Sequence, residues 1–218
     1  MIRLSREELS DIVSHHQHIA SDDRDEMAIP SYLHGNPLIR WLMWHRYEAI
    51  AKLAELNSTQ TVFEFGCGTG VFLPELSARC ATVFATDLYP DFARTLCGKR
   101  NLNVVFVDDT AMLDDASIDL IIAADVQEHI TDLSPHLEQF AAKLKSTGRF
   151  MVSGPTENFI YKIGRLLAGF GDKADYHHTN INDLIDSISD FGFTLNRKIN
   201  LPFGLPPHLF RICEFSAP

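Results

Sequence analysis

Three glycines at every second position, Gly66, Gly68 and Gly70, close the apolar run Val62-Phe63-Glu64-Phe65. Glycine lets a backbone turn through left-handed conformations and approach a ligand with no Cβ in the way. A strand that ends in a carboxylate and turns through such glycines into a helix is a place for a nucleoside-like ligand. The spacing here is GxGxG, whereas dinucleotide-binding turns use GxGxxG. Three more carboxylates follow comparable apolar runs. Asp87 closes Val83-Phe84-Ala85-Thr86, where it can accept hydrogen bonds from both hydroxyls of a ribose. Asp109 follows Val104-Val105-Phe106-Val107-Asp108 and can accept from an exocyclic adenine amine, while the backbone N–H of Thr110 donates to the ring. Asp125 closes Ala123-Ala124 and precedes Val126-Gln127-Glu128-His129. Ligands of open parallel sheets bind beyond these carboxyl ends.

A second set of residues suits a reacting partner. Tyr176-His177-His178 falls in a polar stretch between two helical ones, and histidine titrates near neutral pH, as a general base must. The same triplet is also the pattern of an exposed pair or of a helix-capping cluster before Thr179. Glu128-His129 stands behind the fourth apolar run, either as a base or as a histidine that fixes the loop by bonding backbone. His15, His16 and His18 lack a carboxylate at ligand spacing and read as a solvated helix face, so no metal site is expected. Trp41 and Trp44, with Phe159, Tyr161 and Phe170, either wall an apolar pocket or fill core. Arg46 is a candidate for a ligand carboxylate.

These residues need a scaffold. Thr61–Phe65, Thr82–Thr86, Asn103–Val107, Ile118–Ala124 and Arg149–Ser153 are short apolar runs rich in Val, Ile and Phe, as buried strands are. Segments of helix length, such as Pro90–Lys99 and Asp132–Leu144, separate them. Strands alternating with helices predict a parallel sheet covered on both faces. Before it, Ser5 and Glu8 have capping-box spacing, and Asn36-Pro37 is a helix start. Ser21 to Glu26 is a polar break. After the fifth strand, Glu157–Phe170 and Asn182–Phe191 read as helices and Gly171–Thr179 as a loop. Phe193–Ile199 and His208–Phe215 form a strand pair across a Pro/Gly-rich turn.

Taken together, the motifs resemble those of class I S-adenosylmethionine-dependent methyltransferases, and more narrowly the small-molecule branch typified by ubiquinone-biosynthesis enzymes. The resemblance covers roughly Thr61 to Ser153. It implies an α/β, Rossmann-like fold with a seven-stranded, mostly parallel sheet, an antiparallel C-terminal strand and a helical N-terminal segment. It further implies a helical cap over residues 1–58 and a cofactor-binding domain over 59–218, with a lid insertion near 155–180. By matching position, Glu64 and the loop Gly66, Cys67, Gly68 and Gly70 would hold the methionine part of S-adenosyl-L-methionine. Asp87 would hold the ribose, with Leu88 beside the adenine. Asp109 and Thr110 would read the adenine edge, and Asp125 and Val126 would line the floor near the sulfonium. The family often has Asp-Ala after its third strand, whereas this chain has Asp108-Asp109-Thr110, so Asp108 is the alternative adenine contact. The catalytic candidates are His177, His178, His129 and Glu128. The implied activity is methyl transfer to a small molecule, at oxygen before nitrogen or carbon by the family's habit and the candidate histidines; no aromatic-proline tetrapeptide follows the fourth strand, which disfavours amide-nitrogen and DNA-amino acceptors. The alternatives are a non-catalytic S-adenosylmethionine-binding protein and an NAD(P)-dependent oxidoreductase; the second would need GxGxxG and a Tyr-x-x-x-Lys pair, and the sequence has neither.

Composition narrows the field further. The chain has 218 residues, 45% hydrophobic and 22% charged, and a net charge of -10, which disfavours duplex DNA and anionic membranes as partners. Between Asn101 and Phe140 stand nine Asp/Glu and no Lys or Arg, a field that suits a sulfonium better than a pyrophosphate. Four scattered cysteines without CxxC fit a reducing cytoplasm, and no apolar run of about 20 residues is present. The apolar Glu157–Phe170 stretch would cover the acceptor or meet a lipid-like substrate at a membrane surface.

Overall fold

The computed structural model describes residues 1–16, 28–127, 130–156, 180–204, 206 and 208–218. The chain divides into two compact units, Met1–Asp108 and Asp109–Pro218.

The first unit opens with three helices, α1 (Arg6–Ser14), α2 (Ile29–Leu33) and α3 (Pro37–Ala54). Ser5 caps α1 by accepting from the Glu8 amide at 3.1 Å. The expected box is only half made, because the Glu8 carboxylate is drawn to Arg100 in a two-pronged ion pair of 2.5 and 2.7 Å. Asn36 caps α3 as expected, accepting from the Leu38 amide at 2.9 Å. Then come β1 (Thr61–Phe65), α4 (Leu73–Arg79), β2 (Thr82–Thr86), α5 (Asp91–Arg100) and β3 (Val105–Phe106). β1 pairs parallel with β2 from Thr61↔Thr82 to Phe65↔Thr86, and β2 pairs parallel with β3. β3 is two residues long, shorter than the run 103–107. It is an edge strand with one pairing partner, and Val105 is exposed, so apolar content outruns regular pairing there. Val62, Phe63, Phe72, Leu76, Phe92 and Leu96 are fully buried.

The second unit holds β4 (Ile118–Ala124), α6 (Ser134–Lys143), β5 (Leu144–Pro155), α7 (Ile181–Phe191), β6 (Thr194–Leu201) and β7 (Phe210–Ser216). β5 pairs parallel with β4, and β7 runs antiparallel to both β5 and β6. β5 starts before the expected Arg149: Leu144 pairs with Ile118, and the register then jumps to Leu120↔Arg149 across a bulge. Phe150 centres the core, with Phe140, Phe193 and Phe215 at ring distances of 5.1, 5.6 and 6.2 Å.

The strands form a seven-stranded sheet in the order β3-β2-β1-β4-β5-β7-β6. It is parallel except for β7, as the sequence implied. The predicted helix Glu157–Phe170, the loop Gly171–Thr179 and the break Ser21–Glu26 lie outside the described residues. Among the described residues no helix is long and apolar enough to cross a membrane.

Candidate functional site

In the first unit, the glycine loop is laid against the end of β2. The amides of Gly66 and Cys67 both donate to the Thr86 carbonyl, at 2.9 and 3.0 Å, and the Gly70 amide donates to the Cys67 carbonyl at 2.8 Å. All three glycines have positive φ, +74°, +52° and +76°, a region that any Cβ makes costly. At Gly70 space also forbids a side chain, since an added Cβ would lie 2.9 Å from the Ala93 Cβ. Asp87 closes the loop. One carboxylate oxygen accepts from the Gly68 amide at 2.6 Å and the other from Tyr89 at 2.9 Å. A carboxylate has about four acceptor directions, so these bonds leave capacity for a ligand.

Beneath the loop, Glu64 is buried (1% exposed), and its Oε2 has no hydrogen-bond partner. Burial, reinforced by the Asp87 charge, holds its carboxyl well above the usual carboxylate range. Burial also raises Asp87, against the hydrogen bonds from Tyr89, Gly68 and Leu88. Buried polar atoms ordinarily have partners, which makes this oxygen able to accept a further hydrogen bond. Leu88, next to Asp87, is 91% exposed, an apolar surface available to a flat ring. Cys67 is buried, its thiol pushed well up by burial and by Glu64 and Asp87, so it serves the loop as a small apolar side chain and not as a nucleophile.

Asp108 and Asp109 take different roles. Asp108 is exposed and faces Arg94 at 3.8 Å. Asp109 caps the short 3-10 turn Thr110–Met112 by accepting from the Ala111 amide at 2.8 Å, and Thr110 is buried.

In the second unit, Asp125 sits just past β4 with φ +55°. It is pinned to β5: its amide donates to the Ser153 carbonyl, and the Ser153 hydroxyl donates to its carboxylate, both at 2.9 Å. Val126 follows, half-buried. Gln127 is 1% exposed, and neither its Oε1 nor its Nε2 has a partner. Sequence reasoning passed over this residue, because nothing in an apolar–polar pattern tells a buried amide from a surface one. The candidates Glu128, His129, His177 and His178 lie outside the described residues, as do Phe159, Tyr161 and Phe170.

Among the N-terminal candidates, Arg46 is 2% exposed, donates to the Tyr32 hydroxyl at 3.4 Å and lies 5.1 Å from the Tyr47 ring centre. Burial pushes the Tyr47 hydroxyl up to about 12, and the nearby Glu64 charge adds to the shift while Arg46 opposes it. Tyr32 and Tyr47 were not singled out from sequence. His16 departs from the solvated face expected of it: it packs on Phe92 and bonds the Thr95 hydroxyl at 2.9 Å. It lies two residues past α1, in the turn, where an aromatic and a hydroxyl of α5 meet it. Among the described residues no group of three His, Cys, Asp or Glu gathers as metal ligands do.

Known proteins share the family and the fold. The profile of the methyltransferase-domain family matches residues 41–197. Magnesium protoporphyrin IX methyltransferase from Synechocystis, solved with its demethylated cofactor product bound, is 17% identical over 94% of this chain and 99% of that one, with a TM-score of 0.66. N-methyltransferase NodS from Bradyrhizobium japonicum, in complex with S-adenosyl-l-homocysteine, is 17% identical over 90% and 97% of the two chains, TM-score 0.64. A methyltransferase from Aquifex aeolicus is 19% identical over 79% and 89%, TM-score 0.63. No curated protein sequence matches the chain. The chain belongs to the methyltransferase-domain family, and it shares its fold with these solved methyltransferases.

Proposed function

We propose that the protein transfers a methyl group from S-adenosylmethionine to an oxygen of a small molecule. The observation that carries this reading is the loop of the first unit: three left-handed glycines, Asp87 closing them, and a buried Glu64 oxygen without a donor. In this reading Glu64 accepts from the ammonium of the cofactor's methionine part, and Gly66 to Gly70 let the backbone come close to it. Asp87 holds the ribose hydroxyls, and Leu88 covers one face of the adenine. Asp109, Thr110, Asp125 and Val126 complete the contacts by their matching positions. Both adjacent acids are exposed, and Asp109 is taken as the adenine contact because Asp108 is turned to Arg94 while Asp109 stands at the turn that carries Thr110.

Bound S-adenosylmethionine supplies a methyl already activated on a sulfonium, so the chain has mainly to align the acceptor and exclude water. An alcohol or phenol needs a base, and His129, His177, His178 or Glu128 would take its proton; a carboxylate acceptor needs none. Oxygen is preferred to nitrogen because the fourth strand leads into Asp125-Val126-Gln127-Glu128, with no aromatic-proline pair. Two like-folded proteins are named for methylation of a porphyrin and for N-methylation, so the fold serves more than one kind of acceptor. Single-turnover assays with labelled cofactor and a panel of phenols, carboxylates and amines test the proposal. Label should appear on an oxygen acceptor, with His177→Ala or His178→Ala slowing phenols and leaving cofactor affinity intact. Transfer confined to amines would reverse the choice of atom, and cofactor binding without transfer to any acceptor would favour a non-catalytic binding protein.

A further inference from the structure

Helices α1, α2 and α3 enclose a cavity whose lining differs from the rest of the chain. It measures about 290 Å3 and is lined by Arg3, Arg6 and Arg40 together with Tyr32, Trp41 and Trp44. Sites for small ligands begin at roughly this size.

Its charge is the first point. Arg3 is matched by Glu48. Arg6 instead donates to the Leu33 carbonyl at 2.9 Å, and Arg40 donates to the carbonyls of His34 and Gly35. These two guanidiniums are held by neutral oxygens, and among the described residues no Asp or Glu lines the cavity. In a chain with 29 acids against 19 Lys and Arg, that reverses the prevailing field. The first residue of α1 and the first of α3, Arg6 and Pro37, also line the cavity, so two helix N-termini add to the positive potential.

Its walls are the second point. Trp44 and Tyr32 are buried and meet edge to face at 5.2 Å, while Trp41 stacks on His45 at 4.7 Å. These contacts fix the rings in place before any ligand arrives. Flat apolar walls beside guanidiniums without acid partners match a ligand with an apolar body and an anionic head, since the arginine fork takes a carboxylate or phosphate through two parallel hydrogen bonds.

We propose that this cavity binds a small amphipathic anion, a carboxylate or phosphate on a flat apolar body, with Arg6 and Arg40 on the head and Trp41 and Trp44 along the body. The inference draws only on residues of α1 to α3 and their flanks and does not depend on the cofactor reading.

Trp41 and Trp44 are the only tryptophans in the chain, so intrinsic fluorescence reports on this cavity. The full-length protein is titrated with trans-cinnamate, phenyl phosphate, neutral cinnamyl alcohol and inorganic phosphate, with calorimetry on the same solutions. Both aryl anions should change the tryptophan emission saturably, whereas the alcohol and inorganic phosphate should bind about tenfold more weakly or not at all, the scale of one lost hydrogen bond to a charged group. Binding of phenyl phosphate alone would narrow the head to phosphate, and binding of cinnamate alone would narrow it to carboxylate. Arg6→Gln and Arg40→Gln should each weaken aryl-anion binding about tenfold, with the thermal shift produced by S-adenosylmethionine unchanged. Should either variant melt early, Arg→Lys at that position replaces it and is expected to weaken binding, because an ammonium lacks the fork. An alcohol bound as tightly as the anions, anion affinity indifferent to both positions, or no saturable change with any probe would overturn the proposal.

Discussion

Glu64 is a carboxylate that folding buries with one oxygen lacking any donor, and two predictions follow from that placement. Its pKa is raised in the folded chain, so between the ordinary value and the raised one the native state holds a proton that the unfolded chain has lost. Stability of the cofactor-free protein therefore falls as pH rises through that window. Glu64→Gln should flatten the decline and unfold at higher urea concentration than wild type at pH 8; equal pH slopes for the two proteins would show that Glu64 is not the titrating group. An ammonium placed beside Glu64 favours its ionised form, so cofactor binding near neutral pH should release protons, read by calorimetry in two buffers of different ionisation enthalpy. For Asp87, which holds the loop through Gly68 and Tyr89, Asp87→Ala should weaken S-adenosylmethionine by about 1–3 kcal/mol. Unchanged affinity would mean that the ribose is held elsewhere.

At the scale of elements, the loop and α5 are fitted to each other at one point. Gly70 combines φ +76° with a contact that would bring a Cβ to 2.9 Å from the Ala93 Cβ and 3.0 Å from its Cα. The obstacle is backbone and a short side chain, neither able to swing aside. Gly70→Ala should destabilise the fold by about 1–3 kcal/mol, measured by urea unfolding, and should weaken the cofactor as well because α5 or the loop must shift. A silent substitution would show that the loop has slack. In the second unit the ring cluster is the corresponding test. Phe150 touches Phe140, Phe193 and Phe215 and is wholly buried, so Phe150→Ala should cost about 3–5 kcal/mol. A loss below about 1 kcal/mol would mean that the cluster collapses into the space.

At the scale of the whole molecule, a ligand that binds only the native chain stabilises all of it by mass action. S-adenosylmethionine at a hundred times its Kd should add about 2.7 kcal/mol to unfolding, seen as a rise in melting temperature, and its homocysteine product should do likewise. NADPH should give no shift, because the loop is spaced GxGxG and not the GxGxxG of a dinucleotide pyrophosphate site. A shift with NADPH and none with the methyl donor would overturn the cofactor assignment.

The amino-acid sequence alone determined the buried strands, their parallel sense and the glycines and aspartates at their ends, while the antiparallel last strand followed from the family resemblance. Buried parallel strands are continuous apolar runs, and glycine and aspartate at strand ends have local reasons to be there. The helix starts at Ser5 and Asn36 were legible for the same reason: a cap is decided by a few neighbouring residues. Tertiary structure decided what depends on partners distant in sequence. It gave the Glu8 carboxylate to Arg100 instead of its own cap, turned His16 from water to Phe92 and Thr95, and shortened β3 at the sheet edge. It also left Glu64 and Gln127 buried with unpartnered atoms and gathered Arg6, Arg40, Trp41 and Trp44 around one cavity. Burial and pairing across long separations are properties of the folded chain, and no local pattern of residue types encodes them.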